Sequence, residues 1–414
     1  MRVVPRRNVT LIILVTALIV VEAVPARRRP VTRPPATTSF DCNPAELPAA
    51  QAAQCREARH AEGKRLFELE RFGGNGRTCQ TCHSPETGTF SAADAAARLA
   101  ADPLDPLFLH DGLDDGLSGT TEILRNATVR VTLPLPVHLR LVDDPSATHV
   151  TVRRGTPTTL NTPALDERLM SDLRDPTLVA QAAGAIRSHA QPNGEPTSLQ
   201  LELIAEFQKN DDRFFSSNML REFARSGVPP LLPLGTTESE KRGRRAFEDS
   251  LSQFDPVVGS CALCHSGPML NEANQFALRL LGLPRGVRIS SAHVSERNLL
   301  GSPVLRFEVR DRGSVIIVVS PDPGVLLSDP SSPGVAAELA KFGSNYPLRL
   351  VANMFKTPSL WGVKRTAPYF HDNSAKDFDE LLEHYNAFFE SAGLGPNFLK
   401  PQDIEDIKAF MNLL

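Results

Sequence analysis

The sequence predicts a mainly α-helical protein built from two similar halves in tandem, and three observations lead to this prediction. Apolar residues recur at helical spacing in several stretches, for example over residues 55–72. The pattern Cys-x-x-Cys-His occurs twice, at residues 79–83 and 261–265. Each copy follows a helical stretch containing Gly-x-x-x-Phe, at residues 63–67 and again at 243–247. A chain of 414 residues is also long enough for two domains.

The repeated pentapeptide carries a specific chemistry. Two cysteines at this spacing can bond covalently to the two vinyl groups of one porphyrin, and the adjacent histidine can ligate its iron. On the order of 10⁻³ such pentapeptides are expected by chance in a chain of this composition. We therefore expect two covalently bound haem c groups and two cytochrome c-like domains, the haems held by Cys79, Cys82 and His83 and by Cys261, Cys264 and His265.

The N-terminus is typical of an exported protein. Three arginines precede an apolar run over residues 9–21, and small or apolar residues at 24–26 offer a cleavage point. The prediction is a signal peptide over residues 1–26 and a periplasmic location. An uncleaved membrane anchor is the alternative, because three arginines follow directly.

The remaining chain divides into three parts. Residues 27–40 are rich in proline and arginine and are expected to form an extended tether. The N-terminal cytochrome c domain is predicted at residues 41–232 and the C-terminal one at 233–414. Three prolines and two glycines in residues 227–235 exclude a continuous helix there and mark the linker.

Cysteine usage agrees with export. Four of the six cysteines belong to the haem motifs, which leaves Cys42 and Cys55. These two could close a short disulfide in an oxidising compartment, the alternative being two unpaired thiols. Residues 1–40 carry seven arginines against one glutamate, so the body of the chain has a formal charge of −9 and no nucleic-acid partner is expected.

Short β and loop insertions interrupt the helical pattern. Residues 305–319 alternate around a Gly-Ser pair and predict a β-hairpin. Prolines 134 and 136 predict more loop than sheet for the β-prone residues 128–133. The Asp-Gly run at residues 110–116 lacks the acidic spacing of a calcium loop and is interpreted as solvated turns.

One longer segment carries a family resemblance. Residues 355–385, which include TAPYFHD and end in LLEHY, resemble the second-domain signature of bacterial di-haem cytochrome c peroxidases and MauG proteins. The resemblance covers both Cys-x-x-Cys-His motifs, residues 154–191 and residues 355–414, and leaves out 90–150 and 285–345. It implies an oxidoreductase that reduces hydrogen peroxide with electrons from a small redox protein or a quinol-derived donor.

The same resemblance divides the work between the haems. The N-terminal haem would react with peroxide, and the C-terminal haem would store an oxidising equivalent. Two alternatives stay open: a di-haem electron-transfer cytochrome without peroxidase activity, and a MauG-like enzyme that oxidises a partner protein or small molecule. A membrane contact is expected only through an uncleaved N-terminal anchor.

A second ligand for the C-terminal haem is also implied. Tyr385 falls where the peroxidases place an axial methionine and MauG places an axial tyrosine. A phenolate would stabilise oxidised iron. His384 is the rival ligand and Met354 a weaker one, and the plain alternative is a half-buried tyrosine at a helix end. Adjacent helical residues point about 100° apart, so only one of Tyr385 and His384 can face the iron.

At the N-terminal haem, the resemblance implies a distal pocket lined by residues 172–191. Gln181 corresponds to a pocket glutamine, and Gln191 falls where the peroxidases carry a glutamate that moves the peroxide proton. An amide cannot act as a general base, so this departure weakens the peroxidase prediction. His189 could take that role, could ligate the iron, or could be a surface or packed histidine. His149 lies near a displaceable ligand of some peroxidases.

Two further family features are altered. The tryptophan that usually lies between the haems is replaced by Ser171, and the only tryptophan is Trp361. Thr366 and Pro368 match backbone ligands of the family's calcium ion, whereas its asparagine ligand is replaced by Gly155. Calcium is therefore a weaker expectation than haem.

Overall fold

A computed structural model describes residues 39–248, 261–344, 346–394 and 398–414. The predicted leader, and all but the last two residues of the predicted tether, lie outside these ranges. Residues Ser39–Leu414 form one compact unit, in which helices dominate and the strands are short. The mainly helical prediction is confirmed, while the division into two cytochrome c-like domains near residue 232 stays a prediction.

The described helices alternate with short 3₁₀ turns. Their bounds are α1 Ala49–Leu69, α2 Ala92–Ala101, α3 Thr121–Asn126, α4 Thr162–Leu165, α5 Leu178–Ala185, α6 Ser198–Asn210, α7 Asn218–Ser226, α8 Glu238–Glu248, α9 Ala277–Leu281, α10 Val294–Arg297, α11 Pro333–Lys341, α12 Phe378–Phe389 and α13 Pro401–Met411. The predicted linker over residues 227–235 lies between α7 and α8 and contains no helix.

Helices α1 and α6 pack together in the first half, and α8 and α13 pack together in the second. Each pair crosses at the glycine of its Gly-x-x-x-Phe motif. A Cβ atom on Gly63 would lie 2.3 Å from the Leu203 carbonyl oxygen, and one on Gly243 would lie 1.8 Å from that of Asp406. Only glycine permits so close an approach of two helices. The internal duplication seen in the sequence is therefore also a duplication of helix packing.

The phenylalanines of the two motifs confirm the correspondence. Phe67 packs on Phe207 of α6 with ring centroids 5.7 Å apart, and Phe247 packs on Phe410 of α13 at 5.3 Å. All four rings are buried and belong to the apolar core of their own half. Aromatic pairs at these separations stabilise a core beyond the area that they bury.

The strands form three small antiparallel sheets. Their bounds are β1 Thr128–Pro134, β2 Leu139–Leu141, β3 His149–Gly155, β4 Ile289–Ser290, β5 Leu305–Asp311, β6 Ser314–Ser320 and β7 Phe355–Lys356, and the pairings are β1 with β3, β2 with β5 and β6, and β4 with β7. The hairpin prediction is confirmed by β5 and β6. Its turn uses Arg312 and Gly313, both with positive φ, as a two-residue hairpin requires.

The loop prediction for residues 128–133 is wrong. All seven residues of β1 pair with β3, from Thr128 opposite Gly155 to Pro134 opposite His149. Pro134 occupies the last position of the strand, where a missing N–H disrupts the ladder least. Alternating side chains of both strands, among them Val129, Val131 and Val152, are buried in the core.

The two insertions that lie outside the family resemblance share one core. Buried residues from 90–173 and from 273–351 form a single apolar cluster between them. Strand β2 of the first insertion pairs with β5 of the second, where Phe307 and Val309 are fully buried. The halves are thus joined by structure that the sequence motifs do not mark.

The predicted disulfide between Cys42 and Cys55 is present. It links the start of the described chain to α1. Among the residues that the structure describes, no helix is long and apolar enough to cross a membrane.

Candidate haem-binding sites

The first Cys-x-x-Cys-His motif forms a tight turn after α1. Residues Cys79–Thr81 make one 3₁₀ turn, and the thiols of Cys79 and Cys82 are not joined in a disulfide. His83 donates from Nδ1 to the Gly88 carbonyl oxygen at 2.8 Å, which leaves Nε2 available as a ligand. Burial lowers the pKa of His83. The imidazole is thus neutral, as iron ligation requires.

The second motif repeats this arrangement. Residues Cys261–Leu263 form a 3₁₀ turn, and His265 donates from Nδ1 to the Leu270 carbonyl oxygen at 2.9 Å. The accepting carbonyl lies five residues after the histidine in both motifs. Burial again lowers the pKa of the imidazole. A histidine ligand whose second nitrogen is fixed by a backbone carbonyl is typical of metal sites in proteins.

Each motif opens onto a cavity with largely apolar walls. The first cavity, which is partly open to solvent, is lined by Phe67, Phe72, Cys79, Cys82, His83, Ala182, Ile186 and Ile204 together with a few polar groups. The second is lined by Phe247, Ala262, His265, Leu270 and Trp361 among others. At the first cavity, apolar walls, two thiols and a fixed imidazole fit a porphyrin. At the second, the lining supplies the imidazole and the apolar side chains, and Cys261 and Cys264 belong to the same motif.

The wall opposite His83 comes from α5 and the π-helical turn that follows it, Ile186–Ala190. Gln181 and His189 project from this segment into the first cavity. His189 is close enough to His83 to lower its pKa slightly, after the larger effect of burial. Two polar side chains therefore face the place where a ligand opposite His83 would bind.

His189 is held by a buried ion pair. Its Nδ1 bonds to one carboxylate oxygen of Asp111, and Arg77 bonds to the other. Arg77 and Asp111 are 2% and 4% exposed. The interpretation of residues 110–116 as solvated turns is therefore wrong for Asp111. Its partner Arg77 lies 34 positions earlier, so the local pattern could not reveal the pair.

Gln191 lies outside the cavity. It caps the π-helical turn with a left-handed backbone, φ 48°, and its side chain is exposed. Its Oε1 accepts from the Asn75 amide at 3.2 Å. Of the three predicted distal residues, the structure brings Gln181 and His189 together and leaves Gln191 apart. His149 is exposed on β3.

Tyr385, on α12, lies next to the second motif. Burial raises the pKa of its phenol, and the nearby thiols of Cys264 and Cys261 raise it further. No described residue forms a hydrogen bond with this hydroxyl. The rings of Phe370, Phe388 and Phe389 surround it at centroid distances of about 6 Å.

The rival ligands are engaged elsewhere. His384 is 1% exposed, and its Nε2 donates to the Ala292 carbonyl oxygen at 2.7 Å. Burial lowers its pKa to about 4. Its Nδ1 is buried without a hydrogen-bond partner among the described residues. Met354 packs against the central core that the two insertions share.

The structure also shows the contacts of Ser171, which replaces the family's tryptophan, and of Trp361, the only tryptophan of the sequence. The Ser171 carbonyl oxygen accepts from the Lys356 amide at 2.7 Å. Trp361 is 5% exposed in the wall of the second cavity, and its Nε1 donates to the Pro268 carbonyl oxygen at 2.8 Å.

The calcium prediction gains no support at Gly155, the position where the family has an asparagine ligand. A Cβ atom on Gly155 would lie 2.0 Å from Oδ1 of Asn373, so the asparagine fills the space of a longer residue there. Thr366 donates from its hydroxyl to the Val363 carbonyl oxygen at 3.2 Å, and Pro368 follows Ala367 through a cis peptide bond. Calcium stays a prediction.

Comparisons with known proteins give structural neighbours only. No family model and no curated protein matches the sequence. A MauG-like protein associated with microbial copper homeostasis aligns at 16% identity and a TM-score of 0.44, over 86% of this chain and 88% of that one. Kuenenia stuttgartiensis hydrazine synthase aligns at 13% identity and 0.41, over 86% and 87%. The diheme peroxidase BthA from Burkholderia thailandensis aligns at 14% identity and 0.40, over 85% and 84%.

In its two Cys-x-x-Cys-His motifs and in the 355–385 signature, this chain resembles the bacterial di-haem cytochrome c peroxidase and MauG family.

Proposed function

We propose that this protein is an exported di-haem c-type oxidoreductase that reduces hydrogen peroxide. Electrons would come from a small redox protein or a quinol-derived donor, enter at the His265 site and reach peroxide at the His83 site. The observation that carries the proposal is that different side chains surround the two Cys-x-x-Cys-His motifs. The two sites have matching proximal histidines, but polar side chains line the first cavity together with His83, whereas a phenol lies beside the cysteines of the second motif.

The matching parts would hold the two haems. Cys79 and Cys82 line the first cavity, whereas Cys261 and Cys264 belong to the motif whose Ala262 and His265 line the second. Each adjacent histidine presents Nε2 because Nδ1 is bound to a carbonyl oxygen. A haem c bound in this way supplies redox chemistry at its iron. The protein contributes the neutral imidazole and the apolar side chains that line the cavity.

The first site has groups suited to peroxide. The Gln181 amide can donate a hydrogen bond to one peroxide oxygen and so orient it. His189, with Nδ1 engaged by Asp111, can accept the peroxide proton at Nε2. Gln191 can do neither, since it is an amide and lies outside the cavity. In this proposal His189 takes over the role that glutamate has in the peroxidases.

The second site has a group suited to storing an oxidising equivalent. Tyr385 lies beside Cys264 and Cys261 with no hydrogen bond to the rest of the described chain. Its proton would be lost on binding ferric iron, since the positive metal favours the phenolate. An anionic oxygen ligand lowers the reduction potential and favours the oxidised state.

Two features of the whole chain support export and donor exchange. The Cys42–Cys55 disulfide is typical of an oxidising compartment. The body beyond residue 40 carries a formal charge of −9, which favours a donor with a basic docking face.

A second candidate is an electron-transfer cytochrome without peroxidase activity. It is favoured by Gln191 in place of a glutamate, and it requires His189 to ligate the first iron through Nε2. Oxidative tailoring of a partner, as in MauG, uses the same open site and differs only in the substrate.

The test is the reaction of the purified haem protein with hydrogen peroxide. Stoichiometric peroxide added to the half-reduced protein should change the haem spectrum within the mixing time of a stopped-flow instrument. Excess peroxide should then oxidise a reduced cytochrome or dye catalytically. Replacement of Gln191 by Ala serves as a control and should leave the rate within about twofold of wild type, because the side chain is outside the cavity. No spectral change and no donor oxidation would contradict the proposal.

A further inference from the structure

The proposed function uses the bond between Asp111 and His189 but does not assign a role to the buried carboxylate itself. Asp111 sits between Arg77 and His189, with one oxygen bonded to each. A carboxylate that is 4% exposed must be paired to remain ionised. Burial alone would raise the pKa of Asp111, but the bonds to His189 and Arg77 outweigh it and lower that pKa.

Arg77 is itself fixed by the loop that carries Asp111. Its guanidinium donates to three carbonyl oxygens of that loop, those of Pro106 at 2.8 Å, Leu107 at 3.0 Å and Leu109 at 2.6 Å, and to the His189 carbonyl oxygen at 3.4 Å. Such multiple bonds fix the plane of a guanidinium and its direction. Because Arg77 precedes Cys79 by two residues, the ion pair is anchored to the haem-attachment turn.

The backbone around His189 is hydrogen-bonded to residues 74–77, the segment that also contains Arg77. The Asn75 side chain donates to the His189 carbonyl oxygen at 2.9 Å, and the Asn75 backbone amide donates to that of Ala190, also at 2.9 Å. Gly74 makes this approach feasible, since a Cβ atom there would lie 2.0 Å from the Ala190 carbonyl oxygen. Residues 74–77 therefore fix both parts of His189: Asn75 bonds to its main chain, and Arg77 holds the Asp111 carboxylate that bonds to its ring.

This arrangement determines which ring nitrogen faces the cavity. The bond from Nδ1 to a carboxylate keeps the proton on Nδ1 and leaves the lone pair on Nε2. His189 lines the cavity opposite His83, and no described residue bonds to its Nε2. The π-helical turn Ile186–Ala190, a backbone form often found at functional sites, gives the ring this direction.

We infer that Asp111 is a positioning residue for the first haem site, which holds His189 so that Nε2 accepts the proton of a ligand arriving opposite His83. For an acidic ligand such as hydrogen cyanide, the H–C bond would break, the proton would pass to Nε2 and the carbon would keep the electron pair with which it could bind a haem iron, with no change of oxidation state. The inference rests on the proposed function, since it assigns His189 as a proton acceptor and not as an iron ligand.

The test is the rate at which the ferric holoprotein binds cyanide at the first haem. Nitric oxide is the reference ligand, because it brings no proton. His189→Ala and Asp111→Asn should each slow cyanide binding by about tenfold or more and change the nitric oxide rate by less than about twofold. The double variant should be no slower than His189→Ala, since Asp111 acts only through His189.

Asp105→Asn is the matched control. Asp105 is a partly buried carboxylate in the same loop, but it pairs with Arg98 at 2.6 Å and has no bond to His189. Its cyanide rate should equal that of the wild type. If Asp111→Asn does not take up haem, Asp111→Glu retains a charge for Arg77. Its longer side chain displaces the histidine and should still slow cyanide binding at least about threefold.

Three results would overturn the inference. One is an unchanged cyanide rate in Asp111→Asn and Asp111→Glu while His189→Ala is slow. Another is an unchanged rate in His189→Ala. The third is a low-spin first haem that becomes high-spin in His189→Ala and then binds cyanide faster, which would make His189 an iron ligand. If the wild-type protein does not react with peroxide, the proposed function is refuted. The cyanide-binding rates of the variants would still decide the role of Asp111.

Discussion

Single residues distinguish the two sites from each other. The proximal histidines, His83 and His265, have the same hydrogen bond to a carbonyl oxygen five residues later. The differences lie in the surrounding side chains, since His189 and Gln181 line the first cavity and Tyr385 lies beside the second motif. The two similar motifs thus have different surroundings, as the proposed division of roles between two haems would require.

Tyr385→Phe is predicted to convert the second haem from low spin to high spin. The substitution removes only the hydroxyl oxygen, which has no hydrogen bond to the described chain, so packing should change little. The electron paramagnetic resonance spectrum of the ferric variant is the measurement. Tyr346→Phe is the matched control, because Tyr346 packs against the central core and its hydroxyl is bonded to the Leu350 carbonyl oxygen. An unchanged spectrum in Tyr385→Phe would shift the assignment to His384.

Secondary-structure elements show why the halves fold alike. In each half a long helix before the haem motif crosses a later helix at a glycine, with a phenylalanine pair beside the crossing. The crossing brings the attachment turn, which follows the first helix, against the body of the domain. Its geometry depends on the absence of a side chain at residues 63 and 243.

Gly243→Ala is predicted to destabilise the protein by about 1–3 kcal/mol, because the new methyl group would overlap the Asp406 carbonyl oxygen and force α8 and α13 apart. The apparent midpoint of thermal unfolding measures this. Gly184→Ala is the control, since a Cβ atom there meets its nearest neighbour at 3.8 Å. That change should leave the midpoint unchanged or raise it slightly through better helix propensity. Equal losses in both variants would contradict the crossing argument.

The elements also show what sequence patterns could and could not predict. The helices before the haem motifs were predictable, because their apolar spacing is local. Strand β1 was misjudged because Pro134 was counted against it, although a proline at the last strand position is tolerated. Asp111 was missed because an Asp-Gly run is usually solvated, and only contact with Arg77 and His189 makes it buried.

At the scale of the whole molecule, the halves are joined by a buried ion cluster. Arg154 on β3 bonds to Asp322 at 2.7 and 3.0 Å and also to Asp172, which in turn pairs with Arg174 at 2.8 Å. Burial would raise the pKa of Asp172, but Arg174 and Arg154 outweigh it and lower that pKa to about 2. Removing one partner of a buried ion pair lowers the free energy of unfolding more than removing one partner of an exposed pair does. The stability of the protein should therefore be sensitive to changes in this cluster.

Acid should weaken the molecule through this cluster. A carboxyl with a depressed folded-state pKa contributes stability that is complete above its unfolded pKa, about 3.9, and is lost as pH falls toward about 2. The expected loss in the wild type is about 2–3 kcal/mol across that interval. Asp172→Asn should be less stable at neutral pH and should show a flatter dependence of the thermal midpoint between these pH values.

Asp143→Asn is the control for that comparison. Asp143 belongs to an exposed pair with Arg306, so its removal should leave the acid dependence as in the wild type. Parallel curves for Asp172→Asn and the wild type would contradict the account of the ion cluster.

The joining of the halves was not predictable from the sequence. Pairing of β2 with β5 links residues 139–141 to residues 307–309, and no local pattern specifies a partner at that distance. Both insertions also lie outside the stretches that carry the family resemblance. The two haem motifs could be assigned because covalent attachment requires a fixed local spacing. The central core that holds the halves together depends on long-range packing.

In the proposed function the two irons are unequal, one open to a ligand and one closed by Tyr385. The electron paramagnetic resonance spectrum of the fully ferric wild-type protein tests it most directly. The account predicts one high-spin component, from the His83 haem, and one low-spin component, from the His265 haem. Two low-spin haems in every redox state would contradict it and would favour an electron-transfer cytochrome.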